Sequence, residues 1–141
     1  MAKAFWLVKS EPEIYPFPQL VAEGTTIWDG VRNFEARNNL AAMAKGDLVL
    51  FYHSHDAEIV GVARVTGTAR PDPTSTDPRW VAVELGALKA FREPVTLAAI
   101  KSDRAFAKLK LVTHSRLSVI PVELLLFDRL LELGKTVLPK R

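Results

Sequence analysis

DLVLFYHSHDAEIVGVARVTGTA, residues 47–69, decides the fold class. Asp47 to His53 is a short apolar and aromatic run, and Ile59 to Ala69 alternates apolar with small or polar residues. Ser54 to Glu58 between them is polar enough to turn, so the segment predicts two strands paired as a hairpin. Downstream, RPDPTSTDPR at 70–79 carries three prolines and has to loop before a strand predicted over Trp80 to Phe91. Upstream, Ala4 to Lys9 is aromatic and β-branched and predicts a first buried strand that ends near Ser10, while RLSVIPV at 116–122 returns the chain to strand. Helices fill the gaps. A short one over Gln19 to Ala22 is stopped by Gly24, and one over Asn33 to Met43 carries Ala36, Leu40 and Met43 at steps of four and three. Pro94 to Ile100 and Asp103 to Lys108 predict two more, and Val122 to Leu133 a closing one. The whole reads as an α+β domain around a mixed, barrel-like sheet fed by strands from both ends of the chain.

The chain has 141 residues, no internal repeat and no linker-like stretch, so 1–141 is read as one domain, with a basic tail over 135–141 expected to fray. A chain of this size buries roughly 68–70% of its unfolded surface, enough for a core without staples. It has no cysteine, which excludes disulfides, a thiolate nucleophile and Cys-based metal sites. No apolar stretch approaches a membrane span or a signal-peptide core, and a cytoplasmic setting is expected. The net charge of +3 is a weak pull toward anions, with no basic run to carry it. Any anion site has to be built by the fold.

WDGVRNFEARNNL, residues 28–40, sets one tryptophan, one phenylalanine, two arginines and three asparagines in thirteen positions. On a helix Asn33 and Arg37 share a face, and beside the helix N-terminus they could hold a phosphate. Trp28 could stack on a base or fill the core. Asn33 could equally be an N-cap, and Arg37 a solvated charge. In FYHSHD, residues 51–56, strand alternation turns Phe51, His53 and His55 one way and Leu50, Tyr52 and Ser54 the other. Two histidines with only His114 as a third make a poor metal site, and no metal or cofactor is expected. Tyr52 or His53 lining a polar pocket fits better. No GxSxG, GxGxxG or P-loop sequence occurs. Arg116 and Ser118 would share one strand face in RLSV, lining a cleft or facing water.

Taken jointly, KSEP at 9–12, WDGVRNFEARN at 28–38, GDLVLFYHS at 46–54, IVGVARV at 59–65, PRW at 78–80 and RLSVIPV at 116–122 resemble the EVE domain of the PUA-like superfamily. The resemblance runs from about residue 4 to residue 133. It implies a PUA-like fold, a small curved or barrel-like sheet with short peripheral helices, and a non-enzymatic reader of modified bases in DNA or RNA. It carries a base-binding pocket onto Lys9, Ser10, Trp28, Val31, Arg32, Asn33, Phe34, Arg37, Asn38, Tyr52, His53, Ser54, Arg116 and Ser118. In that picture rings sandwich a flipped base, amides and hydroxyls read its edge, and arginines hold the adjoining phosphates. This chain departs from the family at Phe34, where a tyrosine is common, and in the shorter connection RPDPTSTDPRW.

Two other functions compete with the reader. An enzyme acting on a nucleotide or nucleic acid would use His53 or Tyr52 as acid or base, with Arg37 and Arg116 on phosphate. It would reveal itself by turnover. A small-ligand sensor would bind a free nucleoside with little gain from a flanking strand.

Overall fold

The computed structural model describes residues 3–139. Six strands form one sheet in the order β2-β5-β4-β3-β1-β6. They are β1 (Phe5–Ser10), β2 (Thr25–Trp28), β3 (Leu48–His53), β4 (Glu58–Pro71), β5 (Val81–Thr96) and β6 (Val119–Val122). The sheet is mixed. β1 runs parallel to β3 and antiparallel to β6, and the remaining pairs are antiparallel. The ladder is open, with β2 and β6 at its two edges, and the mixed sheet with short peripheral helices is the α+β arrangement expected from the sequence.

The 47–69 hairpin forms as its pattern requires, with Leu48 opposite Arg64 and Phe51 opposite Gly61. Beyond Phe51 the register slips, because Tyr52 pairs with Ile59 and Val60 is the extra residue of a bulge. Every residue of β3 is buried, as befits a strand with neighbours on both edges and side chains packed on both faces. Gly61 makes room for one of those contacts, since a β-carbon there would sit 2.5 Å from the Phe17 ring. Phe17 in turn packs edge-on against Phe51.

Five short helices, α1 (Phe17–Glu23), α2 (Phe34–Ala42), α3 (Leu97–Lys101), α4 (Lys110–Thr113) and α5 (Leu124–Leu133), surround the sheet. α1 ends at Gly24, whose φ of 84° closes the helix as the sequence predicts. α2 buries Ala36 and Leu40, and Met43 at its C-cap is buried too, which accounts for the three positions the periodicity marks. α5 sets Phe127 against Phe5, with ring centroids 4.5 Å apart.

Two expectations are corrected. The helix predicted from Pro94 starts at Leu97, because Val95 and Thr96 still pair with Ile59 and Glu58 at the end of β5. Pro94 is tolerated there because the β4 ladder is interrupted between Ala90 and Val95, so its missing N–H costs no bond. Asp103 to Lys108 holds only a 3-10 turn at Arg104–Phe106, capped by Asp103 on the Ala105 N–H. Near its start, the 135–141 segment is bonded to β5. Thr136 is buried and accepts the Arg92 N–H, and the Gly134 carbonyl accepts that of Glu93, which satisfies two of the β5 amides that have no β4 partner. Lys140 and Arg141, also assigned to that tail, lie outside the described residues.

Candidate nucleic-acid interface

The parallel strands β1 and β3 end side by side, with Lys9 opposite Tyr52 and Ser10 opposite His53. The chain leaves β1 through KSEP, and this exit forms one wall of a cleft of about 640 Å³. The other wall is the end of β2 and the turn Trp28–Asp29–Gly30. Lys9, Ser10 and Trp28, three of the residues predicted from the sequence, therefore line one hollow, together with Tyr15, Asp29 and Gly30. Its volume falls in the range of small-molecule sites.

Each wall is fixed by bonds that can be traced to the sequence. Ser10 is buried, and its Oγ donates to the Tyr15 carbonyl at 2.6 Å while its own carbonyl accepts the Ser54 N–H at 2.9 Å. Lys9 donates its Nζ to the Ser115 carbonyl at 2.8 Å, and its backbone N–H to the Ser118 carbonyl at 3.0 Å. Partial burial pulls the Lys9 ammonium below its ordinary pKa. Opposite, Trp28 is half-buried and meets Tyr15 and Phe51 at interplanar angles of 75° and 78°. Both contacts are near-perpendicular, so no described ring lies parallel to the indole. Gly30 adopts φ 77° at the turn, a conformation that favours glycine. Its N–H reaches Asp72 Oδ2 at 2.8 Å.

Sequence reasoning missed Asp72, as it missed the cleft residues Tyr15, Asp29 and Gly30. Asp72 is 2% exposed, yet it accepts from the Gly30 N–H, from Arg32 Nη1 at 2.9 Å, and from both the N–H and the hydroxyl of Thr74. Burial alone would raise its pKa, but the bonds from Thr74, Arg32 and Gly30 outweigh it and hold the carboxyl well below the usual range. The signal was present as Asp72-Pro73-Thr74, the spacing at which an aspartate closes a turn on the N–H two residues on.

Several predicted pocket residues do other work. Val31 is core, 7% exposed. Arg32 is spent on Asp72 and on Thr74 Oγ1. Asn33 caps α2, its side chain accepting the Ala36 N–H at 2.9 Å, and Arg37 donates to the Arg79 carbonyl and to Asn38 Oδ1. Asn33 Oδ1 and Arg37 Nε and Nη1 are thus engaged within the protein. His53 Nε2 accepts the Phe17 N–H at 3.0 Å, which seats α1 on the sheet rather than facing the cleft. Tyr52 is 4% exposed, with Lys9 Nζ 6.0 Å from its ring centroid, and burial raises its phenol pKa. Phe34 is 54% exposed and stacks on Trp80.

Arg116 and Ser118 precede β6 instead of sharing its face. Arg116 is exposed and lines a second hollow of about 320 Å³ with Asn33 and His114. Of the three predicted arginines it is the one without a partner among the described residues. The two histidines of FYHSHD do not converge either. His55 pairs with Glu13 at 2.6 Å, and His53 with the Phe17 amide.

An open mixed sheet edged by short helices, with a polar and aromatic cleft where its parallel strands end, is the PUA-like class of α+β domain. The YTH domain of a Zygosaccharomyces rouxii protein, solved in complex with N6-methyladenosine RNA, shares that fold at TM-score 0.58 and 19% identity, over 96% of this chain and 88% of that one. The EVE domain family model matches residues 4–133, and the chain belongs to that family. A Rhodopseudomonas palustris protein solved by NMR is 41% identical, with TM-score 0.89 over 94% of this chain and 93% of that one. Human thymocyte nuclear protein 1 is 32% identical over 91% of this chain and 72% of its own length. Its crystal structure in complex with 5-methylcytosine-containing DNA has TM-score 0.87, covering 96% of this chain and 99% of that one.

Proposed function

We propose that this chain is a nucleic-acid-binding module that draws a modified base into the cleft between Lys9–Ser10 and Trp28–Gly30. The observation that carries the reading is the cleft itself, about 640 Å³, with an indole on one wall and a lysine and a serine on the other. A base turned out of its strand would lie against Trp28, an interaction worth roughly 1–3 kcal/mol per base. Asp29, exposed at the mouth, would accept the exocyclic amine of a cytosine or adenine, and Arg116 would meet the adjoining phosphate. The human relative solved with 5-methylcytosine-containing DNA supports the reading and makes that modification the first to test. The competing acid–base reading loses support where His53 Nε2 is already occupied by the Phe17 N–H.

The test is a binding panel of single- and double-stranded oligonucleotides, DNA and RNA, with and without a modified cytosine or adenine, at two salt concentrations. A preference for one modified base that persists at both salts supports the reader. Equal affinity for modified and plain strands, falling steeply with salt, would leave only phosphate attraction.

A further inference from the structure

Outside the cleft, Phe34 and Trp80 stack with centroids 4.9 Å apart and an interplanar angle of 24°. A guanidinium stands over each ring, Arg79 over Phe34 and Arg32 over Trp80, both 5.6 Å from the centroid. Rings and guanidinium planes are the surfaces on which unstacked bases pack. Each arginine also carries its own carboxylate. Arg79 is held by Asp77 through Nε and Nη2, and Arg32 by Asp72. The cluster therefore offers planes with little net charge, which suits the face of a base better than a phosphate.

The cluster is held by hydrogen bonds that join it to the cleft. Trp80 is fixed at both ends of its loop, its N–H on the Asp77 carbonyl and its own carbonyl accepting the Asp72 N–H. The Arg79 carbonyl accepts Arg37 Nε from α2. Asp72, which holds the cleft turn through Gly30, also holds Arg32 over Trp80, so one buried carboxylate positions both features. Phe34 nevertheless remains 54% exposed in the middle of this arrangement.

We infer that the Phe34–Trp80 pair is an outer stacking site for the base next to the one held in the cleft. The inference rests on the reader function proposed above and adds a neighbour-dependent contribution to it. Affinity then depends on the flanking nucleotide having a base at all, with little regard to its identity.

The experiment compares two single strands that carry the same modified base, one with ordinary flanking nucleotides and one with abasic flanks that keep the phosphates. The wild-type protein should favour the ordinary strand by roughly 5- to 150-fold, the range for one stacked base. That ratio should be the same at low and high salt, because the lost group is uncharged. Phe34→Ala and Phe34→Leu should bring it close to one, and Phe34→Tyr should restore it, each variant being checked for an unchanged melting temperature. A wild-type ratio near one, or a ratio that Phe34→Leu leaves intact, would overturn the outer site while leaving the cleft reading standing. A wild-type protein that does not distinguish modified from plain strands would sink the cleft reading, and the outer site with it.

Discussion

The Gly30 backbone N–H donates to Asp72 Oδ2 at 2.8 Å, across 42 positions of the chain, and by this bond a loop far away in sequence sets the lip of the cleft. Gly30 could not hold its φ of 77° so cheaply as another residue, and the turn could not keep its place without the acceptor.

Replacing Asp72 tests that dependence. Asp72→Ala strands the N–H groups of Gly30 and Thr74 and frees Arg32, and should cost about 2–3 kcal/mol in urea unfolding. Because the folded carboxyl titrates well below its unfolded value, the stabilisation is full above about pH 4 and fades as the pH falls further. Unfolding midpoints between pH 7 and pH 3 should therefore drop more steeply in the wild type than in Asp72→Asn. Parallel acid limbs would contradict this.

Trp28 and Arg116 should fail differently. Trp28→Leu keeps apolar contact with Tyr15 and Phe51 but removes the indole, and should weaken modified-strand binding roughly tenfold or more, erasing the preference over plain strands. Arg116→Ala should weaken all strands alike and lower the salt slope by about one. Titrations at several salt concentrations separate the two.

His53 should prove structural. His53→Ala removes the acceptor for the Phe17 N–H and should cost about 1–3 kcal/mol of stability, seen in thermal and urea unfolding. Any variant population that stays folded should bind modified strands as the wild type does, since the ring seats α1 and does not line the cleft.

His55 and Glu13 form an exposed pair with a definite pH window. The Glu13 hydrogen bond raises the His55 pKa, and the same bond lowers that of Glu13. The His55 contribution is complete below its unfolded value of about 6.5 and is lost as the pH rises through its higher folded value. That of Glu13 is complete above about 4.3 and is lost as the pH falls through its lower folded value. The contact is thus strongest between the two. In an NMR titration the His55 midpoint should lie above that of an isolated histidine and return toward it in Glu13→Gln.

The central hairpin and β1 were legible because short apolar runs ended in polar turns, and α2 because three apolar positions kept helical spacing. β2 was not. Thr25 to Trp28 is four residues at a sheet edge, half-exposed, and too short to show alternation before WDG begins. Pro94 misled because a proline normally marks the end of a strand, whereas here the ladder was already broken around it. Within the site, Lys9 and Ser10 came from the family resemblance and Trp28 also from its residue type, and all three lie where strands end. Arg32, Asn33 and Arg37 have the chemistry of ligand-binding groups, but their partners, Asp72, the Ala36 amide and the Arg79 carbonyl, are set by tertiary packing that composition does not encode. Phe34 was read as a pocket residue, and its stacking on Trp80 became visible only once the 70–79 loop was placed.

The position of β1 between β3 and β6 also bears on kinetics. Phe5 pairs with Val122 and Val8 with Val119, so the first strand waits for a segment more than a hundred residues later before both of its edges are closed. Contacts of such long range are slow to form, and the hairpin of β3 and β4 should nucleate well before them. Lys9 depends on the same late event, since its partners are the carbonyls of Ser115 and Ser118. A nascent chain therefore forms its central hairpin early and completes the Lys9 wall of the cleft last.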